Sequence, residues 1–150
     1  MKVKVKLLHP DAKIPFKKYD TDFCYDVVAV SEKELAPGVW KYGLGLAFQI
    51  DSYKMRPDNP YHRLSIDFRP RSSVWKTGMV LSNCEGTIDF DYRGEVCAVF
   101  YHVIPTLPRY RVGDKIGQIK IGWTEPIEFE PVDELDSTDR QANGYGSTGR

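Results

Sequence analysis

Apolar and polar positions alternate from the first residues of the chain, with Val3, Val5 and Leu7 set between Lys2, Lys4 and Lys6. A period of two predicts a strand, and lysine at each outward position predicts that this strand lies at a sheet edge. β-rich runs recur at Val27–Val30, Gly38–Ile50, Thr87–Asp91, Glu95–Ile104, Lys115–Trp123 and Ile127–Glu130. Glycine and proline separate them at short intervals, which favours an all-β barrel or sandwich over alternating βαβ units. The one helical expectation is a turn or two near Val74, capped by Ser72 or Ser73. Asp51–Tyr61, with Pro57 and Pro60, reads as an exposed loop, and the polar, acidic run Asp133–Arg140 as a tether.

At 150 residues and 17.2 kDa the chain has the size of one domain, 1–150, in which 133–150 forms a C-terminal arm. Its 21 basic and 21 acidic residues balance, so a polyanion-binding surface and a nucleic-acid partner are not expected. No apolar run reaches the length of a membrane span, and the alternating N-terminus does not read as a signal peptide. Cys24, Cys84 and Cys97 are odd in number and scattered, and His9, His62 and His102 show no metal spacing. A reducing, cytoplasmic setting without a zinc site is the expectation.

Chemistry concentrates in four segments. Gly86-Thr87-Ile88-Asp89-Phe90-Asp91-Tyr92-Arg93-Gly94 sets two carboxylates, an aromatic ring and a guanidinium at a tight turn. In a continuous strand Asp89 and Asp91 would share a face, where paired acids need a cation or a role in proton transfer; the plainer reading is a polar hairpin end. Arg71, Ser72 and Ser73 offer charged and neutral donors at a helix start, which suits phosphate, or they form an ordinary cap. Arg140 to Gly149 is glycine-rich and carries Tyr145, Gly146, Ser147 and Thr148. That combination suits a backbone wrapping a nucleotide, or else a loose tail; it lacks the Lys-Ser/Thr of a Walker loop. Gly113–Ile119 enters a strand with Gln118 as an uncharged amide in an apolar run.

In this order and spacing the segments resemble the trimeric dUTPase family. Tyr25-Asp26-Val27 with Ala29 resembles its first motif, Pro70-Arg71-Ser72-Ser73 with Lys76 its second, and Gly86–Gly94 its third. Arg111–Ile119 resembles the fourth and Arg140–Gly149 the fifth, so the likeness runs from residue 22 to 149. Departures are Phe23 and Cys24 before the first motif, His102 where Asn is usual, Gln141 and Asn143 where glycines are common, and Tyr145 for Phe. Residues 51–65 have no family counterpart and read as an insertion, a possible contact surface for a protein partner.

The resemblance implies a distorted jelly-roll-like β barrel, of the dUTPase-like or β-clip kind, with one short helix, assembled as a homotrimer whose tail crosses to a neighbour. It implies hydrolysis of dUTP to dUMP and pyrophosphate, which limits uracil in DNA and supplies dUMP for dTMP synthesis. Asp89 would be the general base activating water at the α-phosphorus. Tyr92 would pack under the deoxyribose, with Asn83, Gly86 and Ile88 in the uracil pocket. Arg71, Ser72, Ser73 and Gln118 would hold the α- and β-phosphates. Arg140, Gly146, Ser147 and Thr148 would close over the γ-phosphate, with Tyr145 stacked on uracil. Mg²⁺ would be held mainly by the phosphates and touched through water by Asp26. Two rivals differ in class: a dCTP deaminase of the same fold, which needs a catalytic glutamate in the third motif, and a non-catalytic dUTP-responsive regulator.

Overall fold

The computed structural model describes residues 2–50, 63–125, 127–139 and 141–142. The described strands are β1 (Val3–Leu7), β2 (Tyr25–Val28), β3 (Ser31–Ala36), β4 (Val39–Gly43), β5 (Leu46–Ile50), β6 (Arg63–Arg69), β7 (Met79–Leu81), β8 (Gly86–Asp89), β9 (Cys97–His102) and β10 (Lys115–Thr124). Among the described residues one 3-10 helix is present, Ser72–Thr77. The strands form three antiparallel sheets ordered β1-β5, β2-β10-β6-β8 and β3-β4-β9-β7. The all-β expectation therefore holds, and β1 lies at an edge with its lysines outward.

Leu64, Ile66 and Phe68 of β6, Ile119 of β10 and Val27 of β2 turn inward against Leu44, Leu46 and Phe48, and against Met79, Ala98 and Phe100. Phe68 and Phe100 meet edge to face at 6.4 Å, and Phe100 meets Tyr110 at 5.4 Å. Each fully buried aromatic of this kind contributes about 1.5–3 kcal/mol of hydrophobic stabilisation. Gly117 makes room for one of them, since a Cβ there would lie 2.1 Å from the Phe68 ring.

Residues directly opposite across a ladder share a face. The register Asp26↔Gln118↔Arg69, Lys120↔Asp67↔Thr87 and Ser65↔Asp89 therefore puts a polar array on the outer face of the four-stranded sheet containing β2 and β8. Both ends of the expected site stand on that face.

Several expectations need correction. Gly38–Ile50 is two strands in different sheets, because Gly45 takes φ +64 and turns the chain between β4 and β5. β8 ends at Asp89, and the Asp89 carbonyl accepts the Tyr92 N–H at 3.1 Å, so Asp91 sits in a turn and does not share a strand face with Asp89. Neither serine caps the helix: Arg71 is its N-cap residue and no side-chain cap bond forms. Arg63–Ser65, read as the end of an insertion, belong to β6, a central strand of its sheet; residues 51–62 lie outside the described residues. Ile127–Glu130 forms no strand with the described residues, and Ile127 and Phe129 stand 69% and 88% exposed. β3, β6 and β7 were not expected. β3 is the charged sequence SEKELA, which forms a strand through its pairing with β4.

Candidate active site

Asp26 is the centre of one cluster. It is 5% exposed on β2, and both its oxygens are engaged. Lys115 Nζ donates to Oδ2 at 2.9 Å and Gln118 Nε2 donates to Oδ1 at 3.0 Å. Arg71 Nε lies 3.2 Å from Oδ1 without the alignment of a hydrogen bond. Burial works to raise the Asp26 pKa, but the Lys115 and Gln118 hydrogen bonds and the Arg71 charge outweigh it and hold the carboxyl below its ordinary range. The buried carboxylate thus aims two cations and an amide at a cavity of about 400 Å³, which Lys18, Tyr19 and Phe23 also line. With Asp22 and Asp26 against Lys18, Arg71 and Lys115, the cavity keeps a net positive charge, which suits an anion.

Lys115 reaches this cluster because β10 is irregular. Its pairing with β2 shifts between Lys115 and Gly117, so Lys115 opposes Val28 while Gly117 opposes Val27. The extra residue, Ile116, is fully buried, and the bulge lets Lys115 and Gln118 point to the same side despite their odd spacing. The Phe16 ring, 4.7 Å from Nζ, supports the ammonium from behind. Simple alternation gives no sign of this, which is why Lys115, like Lys18 and Tyr19, is absent from the sequence-based candidates. Ser72 and Ser73 follow Arg71 in the 3-10 turn, Ser72 exposed and Ser73 half-buried.

The second cluster lines a cavity of about 300 Å³ between β8 and β9. Asn83, Gly86, Ile88, Asp89 and Tyr92 meet there, as expected for one pocket. Asp89 is exposed at the end of β8, and Tyr92 is half-exposed with its hydroxyl donating to the Glu95 carbonyl at 3.2 Å. Arg93 folds back onto the turn, donating to the Phe90 and Tyr92 carbonyls at 2.7 and 3.0 Å. Lys41 and Glu95 also face this cavity and were not expected; both come from positions whose neighbours read as plain strand.

The two clusters do not meet within one chain. Three strand spacings of about 4.8 Å separate β2 from β8, and Asp89 lies four residues of about 3.3 Å further along, the offset from Arg69 to Ser65 on β6. Asp26 and Asp89 are therefore roughly 20 Å apart on one face. Arg140, Tyr145, Gly146, Ser147 and Thr148 lie outside the described residues. Among the described residues no group of three or more His, Cys, Asp or Glu side chains is placed to hold a metal ion.

An all-β chain with a cationic cluster at one end of a sheet and an acid beside a pocket lined by Phe68 and Tyr92 at the other has the features of a protein that binds an anionic ligand with a ring. The sequence pattern of the dUTPase family matches residues 11–149, and the chain belongs to that family. It is 34% identical over 154 residues to the deoxyuridine 5'-triphosphate nucleotidohydrolase of Helicobacter pylori, covering 99% of this chain and 97% of the relative. Among solved structures, a variant of the Staphylococcus bacteriophage 80alpha dUTPase with dUpNHpp superposes with a TM-score of 0.77 at 21% identity, covering 99% of each chain. A variant of the dUTPase from phage phi11 of S. aureus, described as coordinating a structural Mg(II) ion, gives a TM-score of 0.67 at 21% identity, over 91% of this chain and 100% of that one.

Proposed function

We propose that this chain is a dUTP diphosphatase, releasing dUMP and pyrophosphate in sites shared between the copies of a homotrimer. The observation that carries this reading is the separation of its two half-sites. A triphosphate held by Arg71 and Gln118 cannot bring its α-phosphorus to the Asp89 of the same chain across roughly 20 Å of sheet. A neighbouring copy's hairpin, set against the cationic cluster, completes the site. The exposed apolar residues Ile127, Phe129 and Val132, which lead into the arm, and Leu135 within it support the same assembly, since an extended apolar stripe calls for a surface to cover it.

Asp89 accepts the proton of the attacking water and aims it at the α-phosphorus, work of a kind that accounts for roughly 10²–10⁴ in rate. Its exposed position at a strand end fits a group that meets a solvent-derived nucleophile. Tyr92 walls the sugar side, where a packed ring leaves no room for a 2′-hydroxyl. Asn83 and the backbone near Gly86 and Ile88 read the uracil edge, because an amide both donates and accepts. Arg71 and Lys115 neutralise phosphate charge, with Ser72 and Ser73 as neutral donors. Gln118 spends one N–H on Asp26 and keeps a second for the ligand. Arg140, Gly146, Ser147 and Thr148 close over the γ-phosphate, and Tyr145 stacks on the base, which excludes water.

Asp26 fits Mg²⁺ only through water. One of its roughly four acceptor sites remains after Lys115, Gln118 and Arg71, and no second carboxylate stands beside it in its cavity except Asp22. That donor set suits an ion held chiefly by phosphates. When bound, Mg²⁺ supplies further neutralisation along the triphosphate.

No helix among the described residues is long and apolar enough to cross a membrane. Three cysteines free of disulfides support a reducing, cytoplasmic setting. The cellular role is to limit uracil in DNA and to supply dUMP. The test is pyrophosphate release from dUTP, dTTP, dCTP and UTP side by side. Selective turnover of dUTP is expected; ammonia release from dCTP, or binding of dUTP without turnover, would replace this reading with the deaminase or the regulator.

A further inference from the structure

Tyr92 is half-exposed at the tip of the hairpin, yet its ring is fixed at two points. Its hydroxyl bonds the Glu95 carbonyl, and its ring lies over Gly94, where a Cβ would fall 2.4 Å from the hydroxyl oxygen. The segment between β8 and β9, Phe90 to Val96, has no ladder of its own. It is tied instead to the turn between β4 and β5. Val96 N–H donates to the Leu46 carbonyl at 2.9 Å, and Leu44 N–H to the Val96 carbonyl at 3.1 Å. The third tie is a side chain: Glu95 Oε1 accepts the buried Gly45 N–H at 2.9 Å. The carboxylate sits in a recess made by Gly43, where a Cβ would lie 2.4 Å from Oε1 and 2.4 Å from Ser31 Oγ.

We infer that Glu95 is a positioning residue for sugar discrimination, holding Tyr92 against the deoxyribose through the Gly43–Gly45 turn. The inference rests on the reading of Tyr92 given above. The Glu95 carbonyl is the acceptor that fixes the phenol, and the Glu95 carboxylate is the tie to the β4–β5 turn nearest Tyr92 in the chain. Loss of the carboxylate removes one of the three ties between this segment and the β4–β5 turn, so the Glu95 carbonyl shifts more easily and the ring gains freedom to retreat from the sugar. Displacements of about 1 Å at a reacting or discriminating group carry large kinetic effects, on the order of 10²-fold. Gly43 and Gly94 follow from the same arrangement: one leaves space for the carboxylate and the other for the ring.

The test compares kcat/KM for dUTP and UTP in Glu95→Ala, Glu95→Gln, Gly43→Ala and Tyr92→Ala, each confirmed as folded and assembled. Glu95→Ala is expected to raise the UTP-to-dUTP ratio about tenfold, the effect of one lost hydrogen bond on fit. Glu95→Gln, whose amide oxygen accepts the same N–H, keeps the ratio near that of the parent. Gly43→Ala, whose methyl displaces the carboxylate, moves the ratio in the same direction as Glu95→Ala, and combining the two adds little. A folded Glu95→Ala with a lower melting temperature and an unchanged ratio, beside a Tyr92→Ala that does shift it, makes Glu95 merely structural and overturns the inference alone. An unchanged ratio in Tyr92→Ala overturns the reading beneath it as well. Should Glu95→Ala fail to fold, a folded Gly43→Ala decides: a raised ratio supports the inference and an unchanged one ends it.

Discussion

Replacing Asp26 with Asn removes one negative charge where two cations and an amide converge and leaves the side chain's shape almost unchanged. Lys115 loses its 2.9 Å charged acceptor, and Arg71 its 3.2 Å one. Breaking a fully buried pair costs about 3–5 kcal/mol. Asp26 is buried, but the Lys115 and Arg71 side chains are 38% and 32% exposed, so water recovers part of that loss. About 2–3 kcal/mol remains, close to the value of one charge-assisted hydrogen bond plus a weakened contact. For a chain of this length that lowers the melting temperature by roughly 5–10 °C. The dependence on pH has a definite sign. The folded carboxyl has a lowered pKa, so its contribution is complete above the unfolded value of about 3.9 and fades as pH falls through the folded one. Asp67, also lowered despite burial because Lys120 and Ser65 bond it, contributes acid sensitivity to parent and variant alike and cancels in their difference. Chemical denaturation of both proteins from pH 3 to 8 at one fixed concentration checks this, since assembly couples stability to concentration. A gap of 2–3 kcal/mol at pH 7 that shrinks toward pH 3 is expected. A gap independent of pH, or none at pH 7, would refute the account of Asp26 as an ionised hub.

Asp89→Asn should lower kcat by about 10²–10⁴ and leave dUTP binding and melting temperature close to the parent, because the exposed side chain loses only its ability to take a proton; turnover near the parent rate removes Asp89 as base. Tyr92→Ala should raise UTP turnover relative to dUTP, read as the kcat/KM ratio for the two substrates. Deleting Arg140 to Arg150 should leave folding and trimerisation intact and abolish most activity. Mixing that truncation with Asp89→Asn should restore activity through sites that combine a sound tail with a sound Asp89; mixed trimers confirmed by mass yet inactive would mean that each chain builds its site alone. Gly117→Ala should destabilise by about 1–3 kcal/mol by driving a methyl into the Phe68 ring, measured by denaturant midpoint.

Local chemistry was legible in the sequence wherever motif residues are neighbours in space as well as in the chain. Asn83, Gly86, Ile88, Asp89 and Tyr92 come from one ten-residue stretch, and the structure gathers them around one cavity. The edge strand β1 announced itself through lysine at alternate positions. Where pairing across the sheet decides the outcome, the linear pattern was a weaker guide. The sequence RLSIDFR of β6 alternates strictly, but it follows a segment with two prolines, and its first three residues read as the end of an insertion. The polar SEKELA of β3 becomes a strand because β4 lies beside it, and composition alone favours other states. Asp91 was grouped with Asp89 on the assumption of a straight strand, whereas the Asp89–Tyr92 backbone bond ends that strand early. Lys115 could be linked to Asp26 only by knowing of an irregularity in the ladder.

That irregularity constrains how the protein can evolve. Ile116 occupies the additional position in β10, fully buried, while Lys115 and Gln118 on either side of the Ile116-Gly117 pair both face Asp26. Substitutions here change one side chain at a time, and many conservative ones leave its neighbours where they are. A single-residue deletion acts differently: it restores a regular ladder in which Lys115 and Gln118 still share a face, but it removes either the buried Ile116 side chain or the gap that Gly117 leaves for the Phe68 ring. A more regular sheet would then be a worse-packed one. Between Asp114 and Ile119 the number of residues is under selection as strictly as their identity, and homologous chains should differ here by substitution and rarely by length.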